Sequence, residues 1–118
     1  MNDAAPSSTA VRERLPDRRE HTVINFTTAD GFAYAAGVSY FADGRLAEIF
    51  LNAEKIGTAI ETAARDSAVV ASLALQHGVA PDTIRRALTR NGNGEASCPL
   101  GMLLDLLASE PTQGDEQS

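Results

Sequence analysis

The stretch GVSYFADGRLAEIF, from Gly37 to Phe50, constrains this chain more than any other, because two strand-like runs flank a single Asp43-Gly44 pair. Asp-Gly tolerates positive φ at both central residues of a type I′ turn, so the stretch reads as a two-residue β-hairpin. An Asp30-Gly31 pair thirteen residues earlier marks another turn. Before it, Ile24, Phe26 and Thr28 alternate with Asn25 and Thr27. Between the turns, Phe32, Tyr34, Ala36, Val38 and Tyr40 face away from Ala33, Ala35, Gly37, Ser39 and Phe41; after the second, Ala47, Ile49 and Leu51 oppose Leu46, Glu48 and Phe50. Three strands joined by two short turns make an antiparallel meander.

A sheet of this kind must bury a face, and the next segment is suited to cover it. Thr58 to His77 carries Ile60, Ala63, Ala64, Ser67, Val70, Ala71 and Ala74 at helical spacing, with Glu61 and Arg65 paired on the opposite side. Val69, Leu73 and Leu75 widen the apolar arc beyond what one small sheet needs, so a second helix or a partner subunit is expected on the other flank. Gly78 suits the position just past the helix end. A second helix follows from Pro81 to about Arg90, with Ile84, Ala87 and Leu88 inward and Val79 stapled to Ile84. A third begins at Ser97-Cys98-Pro99, with Ser97 as its cap, carries Met102, Leu103, Leu106 and Leu107, and ends by Ser109. The expected fold is α+β: a three-stranded antiparallel meander packed against one long and two shorter helices.

With 118 residues and 43% hydrophobic content, the chain holds one domain. Residues 1–11 and 110–118 are small and polar and read as a disordered lead-in and tail, leaving 12–109 as the folded domain. RERLPDRRE, Arg12 to Glu20, reads as a solvated arm that lays Leu15 on the surface. The net charge of −6 argues against nucleic acid, whose phosphates need a basic face. From Arg12 to Ser109, however, ten basic residues face twelve acidic ones, so the folded part is only mildly acidic. The N-terminus has no apolar leader, and the longest apolar run, Ala68 to Leu75, is short and broken by Ser72, so a cytoplasmic protein outside the membrane is expected. A single cysteine, Cys98, leaves no intrachain disulfide and no Cys/His cluster for a metal, and no cofactor site is expected within the chain.

Chemistry has few places to sit. Cys98 lies where a helix start presents unpaired N–H groups, which favour a thiolate; the same Ser97-Cys98-Pro99 triplet is already explained as a helix start signal. Arg85, Arg86 and Arg90 cluster near the Asn91-Gly92-Asn93-Gly94 loop, where they could meet a phosphate or stand solvated. Glu48, inside a strand, needs a partner if its face is covered; an arginine is the first candidate, although Arg45 lies on the other face. His21 and His77 stand alone in sequence, and no phosphate-binding loop, dinucleotide fingerprint or nucleophile elbow is present.

Three stretches together, GVSYFADGRLAEIFLNAEKIGT, ASLALQHGVAPDTIRRAL and ASCPLGMLLDLLA, resemble the TSCPD domain, which occurs as small separate proteins and at the C-terminal end of adenosylcobalamin-dependent ribonucleotide reductases. RERLPDRR is similar to the lead-in of the same region. Of the naming motif Thr-Ser-Cys-Pro-Asp, Ser97, Cys98 and Pro99 match, while Ala96 and Leu100 replace the threonine and the aspartate. The resemblance implies an accessory or regulatory module linked to ribonucleoside-diphosphate reductase and deoxyribonucleotide synthesis, with a reductase and a nucleotide as expected partners. The reductase's radical barrel, redox cysteine pair and cobalamin site have no counterpart in this sequence, so independent catalysis is not expected. The alternative is a homodimeric interaction domain without nucleotide chemistry, because both strand faces carry large apolar residues, Phe41 and Phe50 among them.

Overall fold

A computed structural model describes residues 11–15, 21–29, 31–54 and 58–109. The polar segments 1–10 and 110–118, the arm residues 16–20 and Asp30 lie outside the described residues. Strands β1 (His21–Thr27), β2 (Ala33–Tyr40) and β3 (Leu46–Ala53) pair antiparallel in the order β1-β2-β3. Helices α1 (Ala59–Gln76), α2 (Pro81–Ala87) and α3 (Pro99–Ser109) complete an α+β fold. Among the described residues no helix is long and apolar enough to cross a membrane.

Both strand connections are tight, but the one at Asp43-Gly44 is not the expected type I′ turn. The Gly44 N–H donates to Phe41 O at 2.9 Å and the Phe41 N–H to Arg45 O at 2.8 Å. These bonds enclose a three-residue loop, Ala42-Asp43-Gly44, in which Gly44 alone supplies the left-handed position at φ +95°. Thr28 and Phe32 close the first loop the same way, with the Gly31 N–H on Thr28 O and Gly31 at φ +93°. A third copy occurs where only a loop was expected: Asn91 and Glu95 are bonded at 2.7 Å around Gly92-Asn93-Gly94, with Gly94 at φ +90°. Asp43 Oδ1 and Asn93 Oδ1 each accept the N–H two residues on, which locks the side chain into the turn.

The register of β2 on β3 slips between Ser39 and Tyr40, so that Glu48 faces Ser39 and Leu46 faces Tyr40. This bulge at Ala47 turns Leu46 onto the same face as Ile49 and Leu51, against the strict alternation read from sequence. Leu46 therefore joins Tyr34, Ala36, Val38, Ile49, Leu51 and Ala53 in the core, with Ala64, Ala68, Ala71 and Leu75 of α1 and Leu100, Leu103 and Leu104 of α3 above them.

Helix α1 begins with Thr58, whose hydroxyl accepts the Glu61 N–H at 3.1 Å. It ends at Gly78, φ +97°, where the Gly78 N–H reaches Leu75 O and the Val79 N–H reaches Ala74 O. Its rotation differs from the expected one. The buried side is Glu61, Ala64, Ala68, Ala71, Ser72, Leu75 and Gln76, while Ile60 and Val70 are 43% and 66% exposed. The arc was wide enough for either half to fit, and the polar residues decided. Ser72 and Gln76 bond the edge of β3: the Ile49 N–H donates to Ser72 Oγ at 2.8 Å, Ser72 Oγ donates to Ile49 O at 3.0 Å, and Gln76 Nε2 donates to Ala47 O at 3.0 Å.

Helix α2 is shorter than expected, ending at Ala87 because Leu88 turns extended and Arg90 bridges to Ala96 in the third hairpin. Ile84 and Leu88 pack against the core, whereas Ala87 is exposed.

Candidate functional site

Helices α2 and α3 and the hairpin between them carry most of the candidate residues on one end of the molecule. Asp105, the lone charge of α3, draws them together. Arg90 Nη1 and Nη2 grip its two carboxylate oxygens at 2.9 and 2.7 Å, and Arg85 Nη1 approaches at 3.4 Å. Arg85 Nη2 also reaches Asp82 at 2.5 Å, as Arg86 Nε does at 2.8 Å, and Arg90 Nη1 donates to Gly94 O at 3.0 Å. The hydrogen bond from Arg90 holds the Asp105 carboxyl below its ordinary range, and that from Arg85 does the same for Asp82. The same bonds raise Arg85 and Arg90. Three guanidinium groups thus share two carboxylates and tie α2, the hairpin and α3 into one unit.

Beside this network, Cys98 and not Ser97 is the cap of α3. Its sulfur accepts the Gly101 N–H at 3.4 Å, and its carbonyl accepts the Met102 N–H at 3.0 Å. Ser97 instead bonds the hairpin, its N–H on Thr89 O and its hydroxyl on Asn91 Oδ1 at 2.6 Å. Pro99 opens the helix, and Cys98 is half-buried. A Cβ on Gly101 would stand 2.9 Å from that of Ala96 and 3.6 Å from the Cys98 sulfur, so the turn and the helix pack backbone to side chain. Ala96 and Leu100, the two departures from the Thr-Ser-Cys-Pro-Asp motif, are both buried, and Leu100 lies in the core.

Glu48 is elsewhere, on the sheet face turned away from the helices. It accepts the hydroxyl of Ser39, its cross-strand neighbour, at 2.8 Å. Beside them the His21 ring lies over Gly37 and tilts against Phe50 with 6.3 Å between centroids. A side chain on Gly37 would meet that ring, which explains the glycine in mid-strand. Phe41 is buried at the base of its hairpin with Arg45 over its ring, whereas Phe50 is 46% exposed. His77 caps its own helix end, with Nδ1 2.8 Å from Leu73 O.

A further candidate surface is the solvent half of α1. Ile60, Ala63, Val69, Val70 and Leu73 are exposed there, with Asp66 among them and the half-exposed Arg65, paired to Glu61, at the border with the buried side. The sequence signalled an over-wide apolar arc but assigned part of it to the core. Periodicity alone gives Asp105, Ser72 and Gln76 no role. Each is a polar residue on an otherwise apolar helical stretch, and that is the signal by which it could have been found.

The chain is similar to two curated proteins named vitamin B12-dependent ribonucleotide reductase. It is 36% identical over 78 residues to that of Bradyrhizobium diazoefficiens and 35% identical over 78 residues to that of Agrobacterium fabrum. Each match covers 66% of this chain and 6% of the relative, so the chain spans a small fraction of the proteins it matches. It therefore carries a region like part of a ribonucleotide reductase. No family model and no solved structure matches it.

Proposed function

We propose that the chain is a TSCPD-like accessory module of ribonucleoside-diphosphate reduction in the cytoplasm, serving deoxyribonucleotide synthesis for DNA replication through contact with a reductase. The observation that carries this reading is the solvent half of α1. Val69, Val70 and Leu73 are large, apolar and exposed, and burying each against a partner is favourable by about 1.5–3 kcal/mol at most. The similarity to part of a much longer reductase supplies the class of partner. Nucleotide binding by Arg85, Arg86 and Arg90 requires a phosphate to replace Asp82 or Asp105 as their partner. No residue of the chain is assigned a catalytic role, and Cys98 serves as a helix cap.

The test is sedimentation of the purified chain with a purified B12-dependent ribonucleotide reductase, with and without nucleotides. Complex formation is expected, together with its loss in Val70→Glu at an unchanged melting temperature. A chain that sediments apart from the reductase under every nucleotide condition sinks the reading.

A further inference from the structure

The two edges of the sheet are treated differently. The edge of β3 is closed by α1, whose Ser72 takes both backbone groups of Ile49 and whose Gln76 takes Ala47 O. The edge of β1 has no such cover among the described residues. The Thr28 N–H bonds Phe32 O. Alternation along an antiparallel ladder then directs the N–H and C=O of Phe26, Ile24 and Thr22 toward β2. Those of His21, Val23, Asn25 and Thr27 point outward.

We propose that β1 pairs antiparallel with β1 of a second copy of this chain, about a two-fold axis at Ile24, and so continues the sheet to six strands. The inference stands independently of the reductase reading. Three observations select a second copy. First, the strand HTVINFT has no lysine, carboxylate, proline or bulge, the devices that guard an exposed edge. Second, the register centred on Ile24 is self-complementary: Val23 meets Asn25 of the second copy, His21 meets Thr27, and all four outward-facing residues gain ladder bonds. Ile24 then faces its own copy at a non-hydrogen-bonded site, where side chains stand closest. Third, the strand holds no lysine, arginine, aspartate or glutamate, so two chains of net charge −6 meet here without opposing carboxylates. Pairing also brings partners to Ile24 and Phe26, which are only half-buried, and to Val23, which is 63% exposed.

The register makes a test that spares the fold. Asn25→Pro removes an N–H that points outward, leaving the β1–β2 ladder intact, so the melting temperature is expected to hold while dimer dissociation rises by about tenfold or more. Ile24→Cys in a Cys98→Ser background places two thiols at the axis and is expected to form an intermolecular disulfide on mild oxidation, whereas Val23→Cys is not. Sedimentation of the full chain reads the first, and non-reducing electrophoresis the second. A chain that stays monomeric at every concentration overturns the proposal. So does a dimer that is indifferent to Asn25→Pro or uncrosslinked by Ile24→Cys, because its interface then lies elsewhere. A chain that binds a reductase strand at β1 while staying monomeric alone overturns it too.

Discussion

Ser72 satisfies two backbone groups with one hydroxyl, donating to Ile49 O and accepting from the Ile49 N–H. Both lie under a helix, and Ser72 itself is 9% exposed. Replacing it with alanine leaves a buried donor and a buried acceptor unpaired. Ser72→Ala is therefore expected to cost about 1–3 kcal/mol in urea unfolding, more than an alanine's better helix propensity returns. A change within error would mean that water reaches Ile49. Gly101 shows the same dependence on close fit. An alanine there would suit the helix but drive a methyl to 2.9 Å from Ala96, and only the packing of a hairpin on α3 makes glycine the better residue.

At the scale of elements, α2 is too short to be stable alone, and no polar side chain caps its N-terminus. It is held by Ile84 and Leu88 below and by Asp105 of α3 across the Arg85 and Arg90 guanidinium groups. Each pair is at least a quarter exposed, so each contributes little and salt weakens it. The pH dependence follows from the aspartates. Because the folded state depresses the pKa of Asp82 and Asp105, their contribution is fully present above the ordinary carboxylate range, about pH 4. It is lost as pH falls through the depressed values. Melting temperature is expected to drop on acidification below that point, and Asp105→Asn to flatten part of the drop while lowering the plateau above it. An identical pH profile for wild type and Asp105→Asn would show that the clamp contributes nothing to stability.

Over the whole molecule, the N-terminal arm acts as a strap. Arg12 Nε donates to Gln76 Oε1 at 2.5 Å, the Glu13 N–H caps Gln76 O, and Glu13 pairs with Arg45 of the β2–β3 hairpin at 2.8 Å. The arm thus reinforces the junction between the end of α1 and the adjacent β2–β3 hairpin, chiefly by polar contacts; Leu15 is half-buried. Replacing Arg12 and Glu13 together with alanine is expected to lower the melting temperature by a few degrees, about 2–5 °C, without unfolding the domain. Calorimetry showing no change would place the strap outside the stability of the fold.

What sequence alone determined here is what short-range chemistry controls. Strands of period two separated by Asp-Gly must turn back on one another, and Gly78 and Pro99 mark helix ends through local φ preferences and missing N–H groups. Asp43-Gly44 announced the hairpin, but not its type, because Asp-Gly serves a three-residue loop as well as a two-residue one. The tertiary structure decided everything that depended on a distant partner. The rotation of α1 hung on Ser72 and Gln76 finding the bare edge of β3, and Leu46 turned inward only because a bulge slipped the register. Arg90 became paired rather than free because Asp105 arrives from another helix, whereas Arg85 and Arg86 find Asp82 one turn back on their own. A composition-wide reading carries no information about such meetings, since each is fixed by the fold that brings the two residues together.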